Sequence, residues 1–270
     1  MDVDFSLAFY TERVLPALNV GLMVSLRLIV PSAVLGFIFG VLLGTVRVYA
    51  PRPARWFGDG FTALVRGVPL VVQLVFIYNC FPKIGMALDS LLYGYFPGFG
   101  QGLDSVLIAL TGFLPESMQY QGELFRTLLV YDAFGSATLG FVICSAAYQS
   151  EYIRGALLSI RQGQIKAAKA LGFSTPQMLL SVVLPQAVRR ALPGCGNEII
   201  YLIKYSSLAY VISCIELTGE ANVLAGRSYR YIEVYLAAGC YYLAMTSLAA
   251  LFLNHCEKRF AIPGFGRAGG

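Results

Sequence analysis

Five stretches of this chain, 22–46, 64–81, 133–148, 198–215 and 232–253, are almost free of charged side chains. Each comes near the roughly 20 apolar residues that cross a bilayer as a helix. Inside hydrocarbon a backbone must satisfy its own N–H and C=O groups, so runs of this kind can only be helical or barrel-forming. Their length selects helices. The chain is 13% charged, where a soluble domain carries about a quarter. One all-α membrane domain over residues 1–270 is therefore expected, with five spans.

The charges between the runs are sorted by sign. Arg47, Arg52, Arg55 and Arg66 surround the first connection, and Arg154, Arg161, Lys166, Lys169, Arg189 and Arg190 fill the third. Lys258, Arg259 and Arg267 follow the last run. The other connections hold Asp89, Asp104, Glu116, Glu123, Asp132, Glu216, Glu220 and Glu233, with few bases. Lys and Arg gather on the cytoplasmic side of membrane proteins, so the N-terminus is expected outside and the C-terminus inside. The net charge of +5 thus reports topology and gives no argument for nucleic acid. The first dozen residues contain Asp2, Asp4 and Glu12, unlike the basic start of a cleavable signal peptide.

Enzyme chemistry has little to work with. Cys80, Cys144, Cys195, Cys214, Cys240 and Cys256 lack the C-x-x-C spacing of a zinc site and read as small fillers between helices. His255 is the single histidine and reads as interfacial. No catalytic residue and no metal ligand is assigned. No G-x-x-x-x-G-K-[ST] phosphate loop occurs, so any nucleotide hydrolysis belongs to another subunit.

The connections differ in character. Residues 1–20 read as a short amphipathic segment leading through Gly21 into the first span, and 50–60, with Pro51 and Pro53, as a short turn. Residues 83–132 are rich in Gly and aromatics and hold an apolar piece, 105–114, too short to span. They are expected to form an extracytoplasmic insert. Residues 151–193 form the longest basic connection. Helical periodicity runs to Leu171, Gly172 suits a left-handed helix end, Ser174 offers an N-cap and Pro176 a first-turn proline. The expected product is helix, tight break, helix.

This connection carries a family resemblance. Glu151-Tyr152-Ile153-Arg154-Gly155-Ala156, Ser159-Ile160, Gly163-Gln164, Ala167-Ala168, Ala170-Leu171-Gly172 and Leu184-Pro185-Gln186-Ala187 with Arg189 resemble the Glu-Ala-Ala loop of bacterial ABC importer permeases. Arg66-Gly67-Val68-Pro69-Leu70 with Gln73-Leu74, Asn197-Glu198, Lys204, Ser206-Ser207-Leu208 and Glu216-Leu217-Thr218 are similar to the polar amino-acid branch, the histidine/glutamine-type permeases. Lys166 stands where the family has its namesake Glu. The resemblance implies a type I ABC importer fold in the bacterial inner membrane. It implies a second permease subunit, identical or paralogous, and an extracytoplasmic solute-binding protein. It also implies separate ABC ATPase subunits that carry ATP and Mg, with Gly163, Gln164, Ala167, Ala168 and Gly172 as the ATPase-coupling surface.

Spacing adds its own reading. Gln164, Ala168 and Gly172 recur at i, i+4, i+8, which puts small side chains on one helical face. Such a face suits either a docked partner or a plain contact between neighbouring helices. Asn197, Tyr201 and Lys204, with Ser207 one turn beyond, make a polar stripe in the fourth span. A lysine inside a span costs about 2.5–3.5 kcal/mol on insertion scales and faces protein or a watery cavity. The stripe is a candidate substrate pathway; the alternative is an ion pair between Lys204 and Glu198. At the level of function, the alternatives to amino-acid import are an ABC permease for another small solute and an ATP-independent secondary transporter.

Overall fold

The computed structural model describes residues 7–95, 100–101, 104–105 and 131–260. Most of the expected insert, including nearly all of its apolar piece, lies outside the described residues. The described chain is all-helical.

Helix α1 (Leu7–Tyr49) runs unbroken for 43 residues. At 1.5 Å per residue that is about 65 Å, twice the hydrocarbon thickness. From Leu7 onward the segment expected at 1–20 is helical and leads without interruption into the first span. Gly21 is a close contact, since a Cβ there would lie 2.7 Å from the Leu217 Cα. Val14 and Leu18 below it are buried with Leu217, Ala221, Ala225 and Val234.

Helix α2 (Arg52–Gly67) replaces the turn expected at 50–60. Pro51 is the extended N-cap residue, and Pro53 sits in the first turn, where a missing N–H costs nothing. Gly58, Thr62 and Val65 form its buried side, facing α1 and α4. Helix α3 (Leu70–Tyr95) begins after a corner at Val68-Pro69 and continues well past the expected end at 81. The corner is stitched by Gln73, whose Nε2 donates to the carbonyls of Val65 at 2.7 Å and Val68 at 2.8 Å. That explains why Gln73 accompanies the Arg-Gly-Val-Pro-Leu run.

Helix α4 (Ala133–Leu158), capped by the Asp132 carboxylate accepting from the Gly135 N–H, is central and buried on most sides. Its main neighbour is α1. The contact is made by small residues of α1: Gly36, Gly40 and Gly44 sit over Ser145, Gln149 and Ile153. Lipid offers no hydrophobic drive between helices, so close approach through small residues supplies the packing energy. A Cβ on Gly40 would lie 2.7 Å from the Gln149 Cβ. Gly40→Val should cost about 1–3 kcal/mol through overpacking and lower the thermal midpoint in detergent. Gly60→Ala, whose Cβ meets nothing within 4 Å, should not. Equal midpoints for the two variants would refute this account of the α1–α4 contact.

Beyond α4 come α5 (Gln162–Ala170) and the long α6 (Thr175–Ile212). Helix α6 passes through a π turn at Leu179–Val183, before Pro185, and ends in a 3-10 stretch, Ser206–Ile212. Ser213 is left-handed, with φ 65°. After it α7 (Leu217–Ser228) sets off, bent by 54° from α6. Helix α8 (Tyr231–Phe260) closes the described chain.

Among the described residues α1, α3 and α8 are long and apolar enough to cross a membrane, and α6 with α7 forms a bent fourth candidate. Helix α4 is also 26 residues long, but less apolar, with Ser136, Ser145, Gln149 and Ser150 buried inside the bundle.

Candidate functional site: a helical elbow and a polar stripe

Helix α4 leads into the elbow through Ser159, Ile160 and Arg161, a three-residue break in the helix expected to run unbroken to Leu171. The Ser159 Oγ donates to the Ala156 carbonyl, and Arg190 of α6 donates from Nη1 to the Ser159 carbonyl at 2.7 Å. The tight break after α5 follows its sequence signals. Gly172 has φ 83°, a conformation that glycine adopts without strain. Ser174 and Gln177 form a reciprocal capping box at the start of α6, with Pro176 in the first turn. Helix α5 is thus held between two fixed corners.

Its faces are divided. Ala168 is 5% exposed and packs with Ile153, Leu157, Met178, Val183 and Ala187. Gly163, Gln164, Ala167 and Gly172 are exposed, and Leu171 is 76% exposed. The expectation that Gln164, Ala168 and Gly172 share one open face is therefore corrected. Ala168 takes the intramolecular alternative and pins α5 to the bundle, while Ala167 and Leu171 turn outward. Lys166 is exposed as well.

A charge cluster that the sequence reading did not assemble lies at the root of the elbow. The buried Arg47 of α1 donates from Nε to Asp59 Oδ1 and from Nη2 to Glu151 Oε1, both at 2.7 Å. Its Nη1 donates to Ser150 Oγ at 3.0 Å. Glu151 also pairs with Arg66 at 3.3 Å and Arg154 at 3.2 Å, and the Arg66 guanidinium lies over the Tyr148 ring. One carboxylate thereby ties α1, α2 and α4 together where the chain turns toward α5. Arg47 had registered only as a topological charge; its position one turn or so beyond the glycine stripe of α1 was the available signal.

The polar stripe of α6 is present as a surface. Asn197, Tyr201 and Lys204 are exposed along one side. The Lys204 Nζ lies 5.4 Å from the Tyr201 ring centroid, and Tyr201 stacks on Tyr205 at 5.9 Å. Ser207 belongs to the 3-10 end and donates its hydroxyl to the Lys204 carbonyl at 2.9 Å. Glu198 is 3% exposed and faces inward. Lys204 and Glu198 point to different surroundings, and the described ion pairs do not include one between them.

A second buried carboxylate stands where α6 breaks. Glu216 is fully buried and caps α7 by accepting from the Thr218 and Gly219 N–H groups, both at 3.0 Å. It also accepts from the Tyr242 hydroxyl of α8 at 2.9 Å and, more weakly, from Ser25 of α1.

Against known proteins, a family described as "Binding-protein-dependent transport system inner membrane component" matches residues 36–262. The chain belongs to this family. The match takes in the elbow, the stripe and the buried Glu198 and Glu216, and makes the chain a transporter component of a multi-pass membrane class. The chain is 32% identical over 262 residues to the octopine transport system permease protein OccM of Rhizobium radiobacter, covering 94% of this chain and 90% of that one. It is 29% identical over 259 residues to the arginine transport system permease protein ArtQ of Bacillus subtilis, covering 96% and 98%. Among solved structures, a crystal structure of an amino acid ABC transporter with histidines superposes with a TM-score of 0.69 at 26% identity. That alignment covers 96% of this chain and all of the other.

Proposed function

We propose that this chain is the transmembrane permease subunit of an ATP-driven importer that moves a polar amino acid across the bacterial inner membrane. The observation that carries the proposal is the elbow: a short helix clamped at both corners, rooted in the central helix and presenting an outward face of small residues. A partner pushing on Gly163, Gln164, Ala167 and Gly172 would move α4 with it. Relatives described as permeases for arginine and for amino acids support the cargo class.

In this reading the chain crosses the membrane five times, with the N-terminus outside and the basic ends of the helices in the cytoplasm. The part of 83–132 beyond α3 then lies on the outer side. Two permease subunits, identical or paralogous, form the pathway between them. ABC ATPase subunits that bind ATP and Mg sit beneath, and a solute-binding protein delivers the substrate. The exposed stripe Asn197, Tyr201, Lys204, with Ser207, lines the pathway, and the ammonium of Lys204 meets the substrate carboxylate. Proteoliposomes holding the permease, its ATPase and its binding protein should take up a radiolabelled polar amino acid only with ATP inside the ATPase compartment. Uptake without ATP would replace the proposal with secondary transport.

The role of the stripe has a separate check. Lys204 is exposed and its loss leaves no buried charge unpaired, so Lys204→Met should assemble with the ATPase at wild-type yield. Uptake should fall by at least about tenfold, the effect of roughly 1.4 kcal/mol of lost pairing. Normal uptake by the assembled variant would remove Lys204 from the pathway.

A further inference from the structure

The motifs and the proposed function leave α2 unexplained, although its three sides are sharply different. Gly58, Thr62 and Val65 face the bundle. Phe57, Phe61 and Leu64 follow one another at i, i+4, i+7, so they share a second side, where Phe57 is 74% and Leu64 66% exposed. The third side carries Arg52, Arg55, Asp59 and Arg66, which follow at steps of three, four and seven residues and so fall along one stripe. Trp56, 84% exposed, stands between the apolar and the basic sides.

A helix with phenylalanine and leucine on one side, arginine on another and tryptophan at the boundary lies in the plane of a membrane surface. Its position agrees, because α2 connects the ends of two membrane-crossing candidates, α1 and α3, at their arginine-rich end. The basic side is hollowed. A cleft of about 730 Å³ opens there, lined by Arg47, Arg52, Pro53, Arg55, Trp56 and Asp59. Arg47 is already satisfied by Asp59, Ser150 and Glu151, and in binding Asp59 it offsets the one acid of the cleft. Arg52 and Arg55 have no ion pair among those described. The Arg55 Nε is buried without a hydrogen-bond partner. A buried guanidinium N–H left unpaired is costly, and an acceptor entering the cleft would satisfy it.

We propose that this cleft binds the headgroup of an anionic phospholipid, with its phosphate between Arg52 and Arg55, while Phe57, Phe61 and Leu64 on the far side of α2 sink into the surrounding bilayer. The apolar side argues for a lipid occupant, since a helix that sinks that side into the bilayer holds Arg52 and Arg55 at headgroup depth. The inference requires only that the chain be membrane-embedded, so it stands or falls apart from the substrate assignment.

The test uses the full chain in nanodiscs of equal phosphatidylglycerol and phosphatidylcholine, followed by transfer to neutral detergent and mass spectrometry of the lipids retained. The wild-type chain should retain phosphatidylglycerol preferentially. The double variant Arg52→Gln, Arg55→Gln should lose that preference at least about fivefold, given that each basic side chain near an anionic surface contributes on the order of a fivefold preference. Lys258→Gln with Arg259→Gln, which removes equal charge from the exposed end of α8, should leave it unchanged. Adding inorganic phosphate during transfer should not displace the lipid. Equal loss in both double variants would mean a diffuse basic surface, and displacement by phosphate would mean a simple anion site; either overturns the proposal. Unchanged lipid retention together with lost ATPase pull-down in the Arg52, Arg55 variant would make the face a protein contact and overturn it too.

Discussion

Glu216→Ala should fail to hold the bend between α6 and α7, lowering the detergent thermal midpoint by many degrees and most of the purified yield with it. The carboxylate accepts two backbone N–H groups at the start of α7, the Tyr242 hydroxyl and the Ser25 hydroxyl. Ser25 in turn accepts from the Leu217 N–H at 3.1 Å. Alanine strands several buried donors at once, each worth about 1–3 kcal/mol. A loss of about 3 kcal/mol or more is expected. Glu216→Gln keeps one carbonyl acceptor for the cap and should recover a good part of the loss. The check is thermal unfolding by tryptophan-independent dye fluorescence with size-exclusion yield. An alanine variant as stable as wild type would show that the bend is held by packing alone.

The second large effect concerns the elbow. Ala167→Arg puts a long charged side chain on the exposed side of α5, where the bundle is not touched, so folding and thermal midpoint should be unchanged. Co-purification of the ATPase should drop at least about tenfold, and ATP-driven uptake with it. Ala168→Asp behaves differently, because that side chain is enclosed by Ile153, Met178 and Val183 and an unpaired buried charge is strongly destabilising. The two neighbours therefore separate docking from folding. Should Ala167→Arg bind the ATPase and transport normally, the outward face of α5 is not the coupling surface.

These two alanines also mark how far the amino-acid sequence could be read. The break itself was legible, because Gly172, Ser174 and Pro176 each have a local job that does not depend on the rest of the fold. Which side of α5 faces the bundle was not, since small residues suit a partner and a neighbouring helix equally. Helix α2 was hidden for a related reason. Pro51, Pro53, Gly58 and Gly60 all signal a turn, yet Pro51 and Pro53 occupy helix-start positions and Gly58 is needed where Arg47 presses in, 2.8 Å from where its Cβ would be. The polar stripe followed from helical spacing alone. The Arg47–Glu151 and Glu216–Tyr242 links did not, because they join residues 104 and 26 positions apart, and only a three-dimensional arrangement brings them together.

The glycine seam between α1 and α4 has a mechanical meaning. Ser25, at one end of the seam, touches the cap of α7; Arg47, at the other, is bolted to α4 through Ser150 and Glu151. Twenty-two positions of α1 separate them, about 33 Å of helix, and between them Gly36, Gly40 and Gly44 hold α1 against Ser145, Gln149 and Ile153 of α4. A tilt imposed on α4 at the elbow would carry α1 with it, and through Ser25 would reach the cap of α7 beside the kink at Ser213–Glu216, as a beam links its supports. Movement at the elbow and movement at the kink would then be two readings of one displacement.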